Sequence, residues 1–431
     1  MSRNSPYPAL LGALAIAAAM AAGPAAAVEA VHAAAATGAE SADPAAEQTT
    51  RANAQQALYQ EALLALAEGR RSDASRALRR LIEQEPRHAG AWLDLALIQC
   101  GLGNADESER LFATVETRFD PSREILELIA QTREDGCRPW TPNSSLSLSV
   151  GRGYDHNVNQ GASTSTPTLG GGSLQLLDDF LPKQDGYTAT GIDYLRDLTP
   201  NGSIGFAQLQ SRRNDSLRDY DSSSVFGGIE SPWRFGRWAL RSTLVAGMVT
   251  LGGHVYQRQA QAQLRVAPPL SLPDNTVFNL MGGATWTDYR RLANFDARTF
   301  ELRPELSHRR GNLYASAAFG LLSDHGNSRR PGGNRHGQLL NVLVRSPLAA
   351  GAVGELGYTR QTWLGAQAYA PALLVDQTRA QTTQVLRATL TYPINKHHSL
   401  LFEARAVRNQ ENIDIFQYNN RQFQLSWRWQ P

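Results

Sequence analysis

Phe423-Gln424-Leu425-Ser426-Trp427-Arg428-Trp429 puts a large apolar side chain at every second position and a polar one between. A period of two is the mark of an extended strand with unlike faces. The same period runs back through the chain. Leu400, Phe402, Ala404 and Ala406 alternate with Leu401, Glu403 and Arg405, and Leu386, Ala388, Leu390 and Tyr392 with Arg387, Thr389 and Thr391. It first appears where Leu146, Leu148 and Val150 alternate with Ser145, Ser147 and Ser149, just after Pro139-Trp140-Thr141-Pro142. A soluble sandwich would hide the apolar face in a core. A transmembrane barrel would turn it to lipid and its polar face to a wet lumen.

Connection lengths separate the two. About fourteen strands can be counted from residue 143 to 431, leaving about 21 residues for each strand with its connection, which suits tilted spans of roughly ten residues. Long or polar connections (155–185, 212–219, 287–297, 324–335, 365–378, 409–420) alternate with short turns such as Pro200-Asn201-Gly202, Ser231-Pro232 and Arg310-Gly311-Asn312. The links at 250–254 and 267–275 fit this order least well. Long loops at one end and short turns at the other are a barrel habit that a sandwich has no reason to share. Tyr154, Trp286, Tyr392 and Trp429 near strand ends suit interfacial girdles, though any one of them could be packing. The expected fold is a short α-helical domain followed by an antiparallel transmembrane β-barrel, residues 143–431.

The N-terminus reads as an export signal. Arg3 precedes an apolar stretch, Ala9 to Ala22, too short to span a bilayer, and Ala25-Ala26-Ala27 offers small residues for cleavage near 27. A membrane anchor is the weaker alternative, since Gly23-Pro24 breaks the helix. Residues 28–54 read as a flexible leader. No later run of apolar residues is long enough for a spanning helix. The net charge of +2 gives no field that would favour nucleic acid, and Lys183 and Lys396 are the only lysines. Cys100 and Cys137 precede the barrel. In an oxidising compartment they could be bonded or remain two thiols, and both readings stand at this point.

From 55 to 138 the spacing is helical. Ala57, Leu58, Ala62, Ala65, Leu66, Ala74, Leu78 and Leu81 recur at three and four residues, and Gly69 splits the run. A second copy follows at an offset of 34: Gly69 is matched by Gly103, Leu58 by Trp92, Ala62 by Ala96 and Leu78 by Phe112, while Pro86 and Pro121 close the copies. Trp92-x2-Leu95-Ala96 and Ala74-x3-Leu78 resemble the tetratricopeptide repeat. Such helix pairs bury their apolar faces only by stacking, so a helix near 122–133 is expected to cap them.

The ending at Phe423, Leu425, Trp427 and Trp429 resembles the terminal strand read by the outer-membrane barrel assembly machinery, although Gln430-Pro431 follow the last aromatic. On the first strand, Gly153-Tyr154-Asp155-His156-Asn157-Val158-Asn159 predicts inward Asp155, Asn157 and Asn159, with Tyr154 at the interface. Tyr154, Asp155, Asn157 and Asn159 together are the candidate lumen or loop-latch residues. The latch is the first reading and a lining that touches cargo the second. Arg152 then points outward, which calls for snorkelling or a bulge at a glycine.

A signal peptide, short repeats, Gly153–Asn159 and the 412–429 ending together resemble the surface lipoprotein assembly modulators over about residues 55–431. The resemblance implies an outer-membrane barrel that helps lipoproteins or small secreted proteins reach the cell surface, with periplasmic repeats engaging protein cargo or partners. Polysaccharide export, porin-like solute passage and adhesin-like loop display are the alternatives. Enzyme readings find little. The nine histidines show no metal-binding spacing, Ser323-Asp324-His325 with Ser328 reads as a loop before it reads as a triad, and no cofactor motif is present.

Overall fold

A computed structural model describes residues 44–137, 141–169, 172–371 and 375–431. The expected signal peptide and the leader up to residue 43 lie outside the described residues, as does Trp140. Five helices open the chain: α1 (Pro44–Ala67), α2 (Arg71–Gln84), α3 (Ala89–Gly101), α4 (Ala105–Arg118) and α5 (Arg123–Asp135). The leader boundary at 54 needs correction, because α1 already begins at Pro44. Proline suits the first helical turn, and the Ala- and Gln-rich stretch behind it favours helix.

The 34-residue offset is visible in the packing. Leu78 and Phe112 are both buried in one core with Leu81, Leu95, Val115 and Ile129. Ala62 and Ala96 are buried together, where a small residue lets helices approach. Gly69 and Gly103 both carry left-handed backbone at the ends of α1 and α3. Ala74 is fully buried on α2, and the indole N–H of Trp92 donates to the carbonyl of Pro86 at 3.2 Å. Cys100 and Cys137 are joined by a disulfide that ties α3 to the end of α5.

The strands follow as β1 (Ser144–Asp155), β2 (Thr168–Leu169), β3 (Gly172–Ser173), β4 (Asp185–Asp197), β5 (Ile204–Asn214), β6 (Ser222–Phe235), β7 (Trp238–Leu251) and β8 (His254–Ala267). The second half holds β9 (Thr276–Tyr289), β10 (Ala297–Arg310), β11 (Leu313–Gly326), β12 (Arg335–Pro347), β13 (Val353–Ala370), β14 (Val375–Pro393), β15 (His398–Glu411) and β16 (Tyr418–Trp429). β2 and β3 form a small hairpin inside the β1–β4 loop. The other fourteen make one closed antiparallel barrel, sealed where Leu148 of β1 faces Trp429 of β16 and Asp155 faces Gln422. Closure removes both edge strands, which would otherwise offer unpaired backbone groups.

The alternation separates two faces. Val150, Ile229, Leu244, Leu302, Leu356, Leu386 and Leu425 stand on the outer surface and are exposed. Their chain neighbours point into the lumen. On β8, Gln257, Gln259, Gln261 and Gln263 follow one another down the inner wall, opposite Tyr289, Thr287, Thr285 and Gly283 of β9. The two links that fitted least well are real exceptions. β7 and β8 meet through Gly252-Gly253 alone at the long-loop end, while 268–275 is a longer connection at the short-turn end.

The helical domain touches the short-turn end. The backbone N–H of Arg71 donates to the carbonyl of Pro200 at 3.2 Å. The N–H of Ser72 donates to the side chain of Asn201 at 3.1 Å. Arg234, at the end of β6, donates to Glu68 at 2.7 Å, and the buried Arg70 holds the other oxygen of the same carboxylate.

Candidate functional site

The lumen wall at the long-loop end concentrates paired charges. Asp155 accepts from Arg212 of β5 at 2.7 Å and from Gln422 of β16 at 2.8 Å. The Arg212 guanidinium also lies over the ring of Tyr187 from β4. Gly153 makes room for that ring, since a Cβ there would stand 2.3 Å from it. Further round, Asp324 of β11 is fully buried and holds Arg335 of β12 at 2.7 Å and Arg330 of the intervening loop. Arg335 lies over Trp363 of β13. In a third cluster, Arg379 of β14 forks onto Glu411 of β15 with bonds of 2.6 and 2.9 Å and lies over Tyr369 and Phe416. Each carboxylate is paired with at least one guanidinium, although both arginines of the second cluster crowd onto one oxygen of Asp324 and leave the other buried without a hydrogen bond. Charge-assisted pairs of this kind tie neighbouring strands together and rigidify the wall of the mouth.

Asn157 and Asn159 sit beyond β1, at the start of the first long loop. The Asn157 amide donates to the carbonyls of Gly161 and Asn419, and its oxygen accepts from the Gly161 N–H at 2.7 Å. Asn159 donates to the carbonyl of Leu181 and accepts from the N–H of Lys183. Together they pin the loop to itself and to the start of β16. Tyr154 does not belong in the lumen set. It shares the phase of Val150 and stands exposed on the outer surface, edge-on to His156 at 5.1 Å.

Arg152 points outward, and no bulge intervenes, since β1 pairs with β4 in unbroken register. It forks onto Asp215 at 2.7 and 2.8 Å. That bond holds the Asp215 carboxyl below its usual range. Ser323 and His325 face outward while Asp324 faces inward, so alternation itself separates these residues and no triad forms. Phe423, Leu425 and Trp427 are exposed on the outer face of the closing strand, and Trp429 ends it opposite Leu148.

Reading the motif alone missed Arg212, Tyr187, Asp324, Arg335, Trp363, Arg379 and Glu411. Their signal was available in the phase of alternation, since each lies on the inward face within a few residues of a long loop.

Residues 65–132 match the tetratricopeptide repeat family. No protein of curated function matches the chain. Among solved structures, the barrel is similar to OmpT, an outer membrane protein of Vibrio cholerae in its in-vitro folded trimer form, at 8% identity over 68% of this chain and 100% of that one, with a TM-score of 0.38. It is also similar to the outer membrane channel DcaP of Acinetobacter baumannii at 10% identity, over 67% of this chain and 97% of that one, with a TM-score of 0.37. A third is an anion-selective porin from Comamonas acidovorans at 9% identity, over 68% and 99%, with a TM-score of 0.37.

Proposed function

We propose that the barrel spans the outer membrane and moves a lipoprotein or small secreted protein to the cell surface, and that the repeats face the periplasm and engage that cargo. The belt of exposed leucine, valine and aromatic side chains supports the membrane reading, because such a surface on a soluble protein would aggregate. The observation that carries the transport reading is the contact of the repeats with the short-turn rim through Glu68–Arg234 and Ser72–Asn201. A cargo surface fixed at the mouth raises the local concentration of whatever it binds. The same orientation puts the long loops outside the cell and offers Phe423 to Trp429 to the assembly machinery. Deleting the gene and probing intact cells for surface lipoproteins tests the proposal. Loss of one cargo from the surface supports it, and unchanged display of every candidate overturns it.

The polar inner wall favours solute passage as the second reading. Planar-bilayer recording separates the two, since a large steady current fits an open pore rather than a gated translocon.

A further inference from the structure

Outward-facing arginines stand high on the apolar belt of β13 to β16. On adjacent strands β13 to β16, Arg360, Gln384, Arg408 and Asn419 form one cross-strand row. Tyr358, Leu386, Ala406 and Arg421 form the next row toward the short turns. Below them the outer face carries Leu356 and Phe423 in one cross-strand row and Phe402 and Leu425 in the next. Arg360, Arg408 and Arg421 are exposed. Among the described residues these three guanidiniums enter no ion pair, whereas the inward Arg379 and Arg387 hold Glu411 and Glu403. This part of the outer wall leaves its three cations without carboxylate partners.

A concavity of about 960 Å³ adjoins the row on the long-loop side. Its lining mixes His336, Gln338, Thr362, Thr382 and Gln410 with the exposed apolar side chains Phe300, Leu302, Leu321 and Leu364, which stand on its β10–β13 side. Thr362, Thr382 and Gln410 each lie two residues from Arg360, Gln384 and Arg408 on the same outward face. Cations therefore stand high on the greasy belt, and hydroxyl- and amide-bearing side chains stand immediately above them.

We infer that this face of the barrel binds a phosphorylated glycolipid of the surrounding leaflet, with Arg360, Arg408 and Arg421 taking the phosphates and the concavity taking the sugar. Guanidinium forks match phosphate oxygens two at a time. Threonine and glutamine supply the mixed donors and acceptors that sugar hydroxyls need. Cations at headgroup depth attract anionic lipid, and each arginine there strengthens binding by roughly fivefold.

The inference rests on the reading that the barrel spans a bilayer. The test uses the full chain refolded in uncharged detergent, with heat-dependent gel mobility as the check on folding. Native mass spectrometry then measures retention of lipid A, dephosphorylated lipid A and phosphatidylglycerol, with inorganic phosphate as a competitor. Preferential retention of lipid A, lost by more than about tenfold in the R360Q/R408Q/R421Q variant, supports the proposal. Should the triple variant not fold, R408Q alone is expected to lose roughly fivefold. Equal retention by variant and wild type overturns it. So does equal retention of phosphatidylglycerol or of dephosphorylated lipid A, or displacement by inorganic phosphate at low concentration. Failure of the folded protein to enter phosphatidylcholine vesicles overturns the membrane reading itself, and that outcome is recognised before any lipid preference is measured.

Discussion

Arg212 lies flat over Tyr187, its guanidinium carbon 3.9 Å from the ring centre, while the same side chain donates to the buried Asp155 at 2.7 Å. This joins β1, β4 and β5 just below the first long loop. Removing one partner of a buried pair strands the other, at a cost of about 3–5 kcal/mol. Asp155→Ala is expected to lower the temperature at which the folded band converts on a heated gel. Asp155→Asn keeps a hydrogen-bond acceptor and should lose less. An unchanged conversion temperature in the alanine variant would show that the cluster does not stabilise the barrel.

The turn between β4 and β5 allows the helical domain to sit close. Gly202 has φ +83°, and a Cβ there would stand 2.7 Å from the carbonyl of Glu68. Gly202→Ala is expected to loosen the repeats while leaving the barrel folded. Faster hydrogen exchange at the backbone N–H groups of Arg71 and Ser72, with an unchanged heat-conversion temperature, is the expected pair of results.

Acid should loosen the same contact. Burial pushes the Glu68 carboxyl up, but hydrogen bonds and charge from Arg70 and Arg234 outweigh burial and hold it below its ordinary value of 4.5. The folded state therefore binds the proton less readily than the unfolded one. The stabilising contribution is present above about pH 4.5 and is lost as pH falls through the lowered value. Hydrogen exchange around 68–73 should rise below that range in the wild type. In Glu68→Gln, exchange should already be raised at neutral pH and change less on acidification.

Reduction of the disulfide should weaken the helical domain first. The 37-residue separation of Cys100 and Cys137 corresponds to about 3–4 kcal/mol of chain entropy removed from the unfolded state. Adding a reductant to the full chain is expected to lower the unfolding midpoint of the helical signal and leave the strand signal in place. A helical midpoint that does not move would show that the bond does not stabilise this domain.

The division between helices and barrel was readable because both rest on short periods. Leu78 and Phe112 stand 34 residues apart and are buried in the same core, and the phase of Val150 and Leu425 put both on the outer surface. Contacts were readable only within a few residues. Asp155 meets Arg212, 57 residues on, and Gln422, 267 residues on. Alternation assigns each of them to the inward face but says nothing about which strand lies beside which at what register. The same holds for Glu68 and Arg234, which meet because the β6–β7 turn stands beside the turn between α1 and α2. Tyr154 shows the opposite case, since its phase alone was enough to exclude it from the lumen.

The Gly252-Gly253 turn breaks the fence of loops at one point on its circumference. Beneath it the four glutamines of β8 descend the inner wall like rungs, each able to give or take a hydrogen bond and none bearing a charge. Arg265 ends that ladder two residues below Gln263, and the Glu230–Arg241 pair stands on the strands beside it. Along this stretch of wall the uncharged rungs therefore give way to charge only toward the short-turn rim, where the helices are attached.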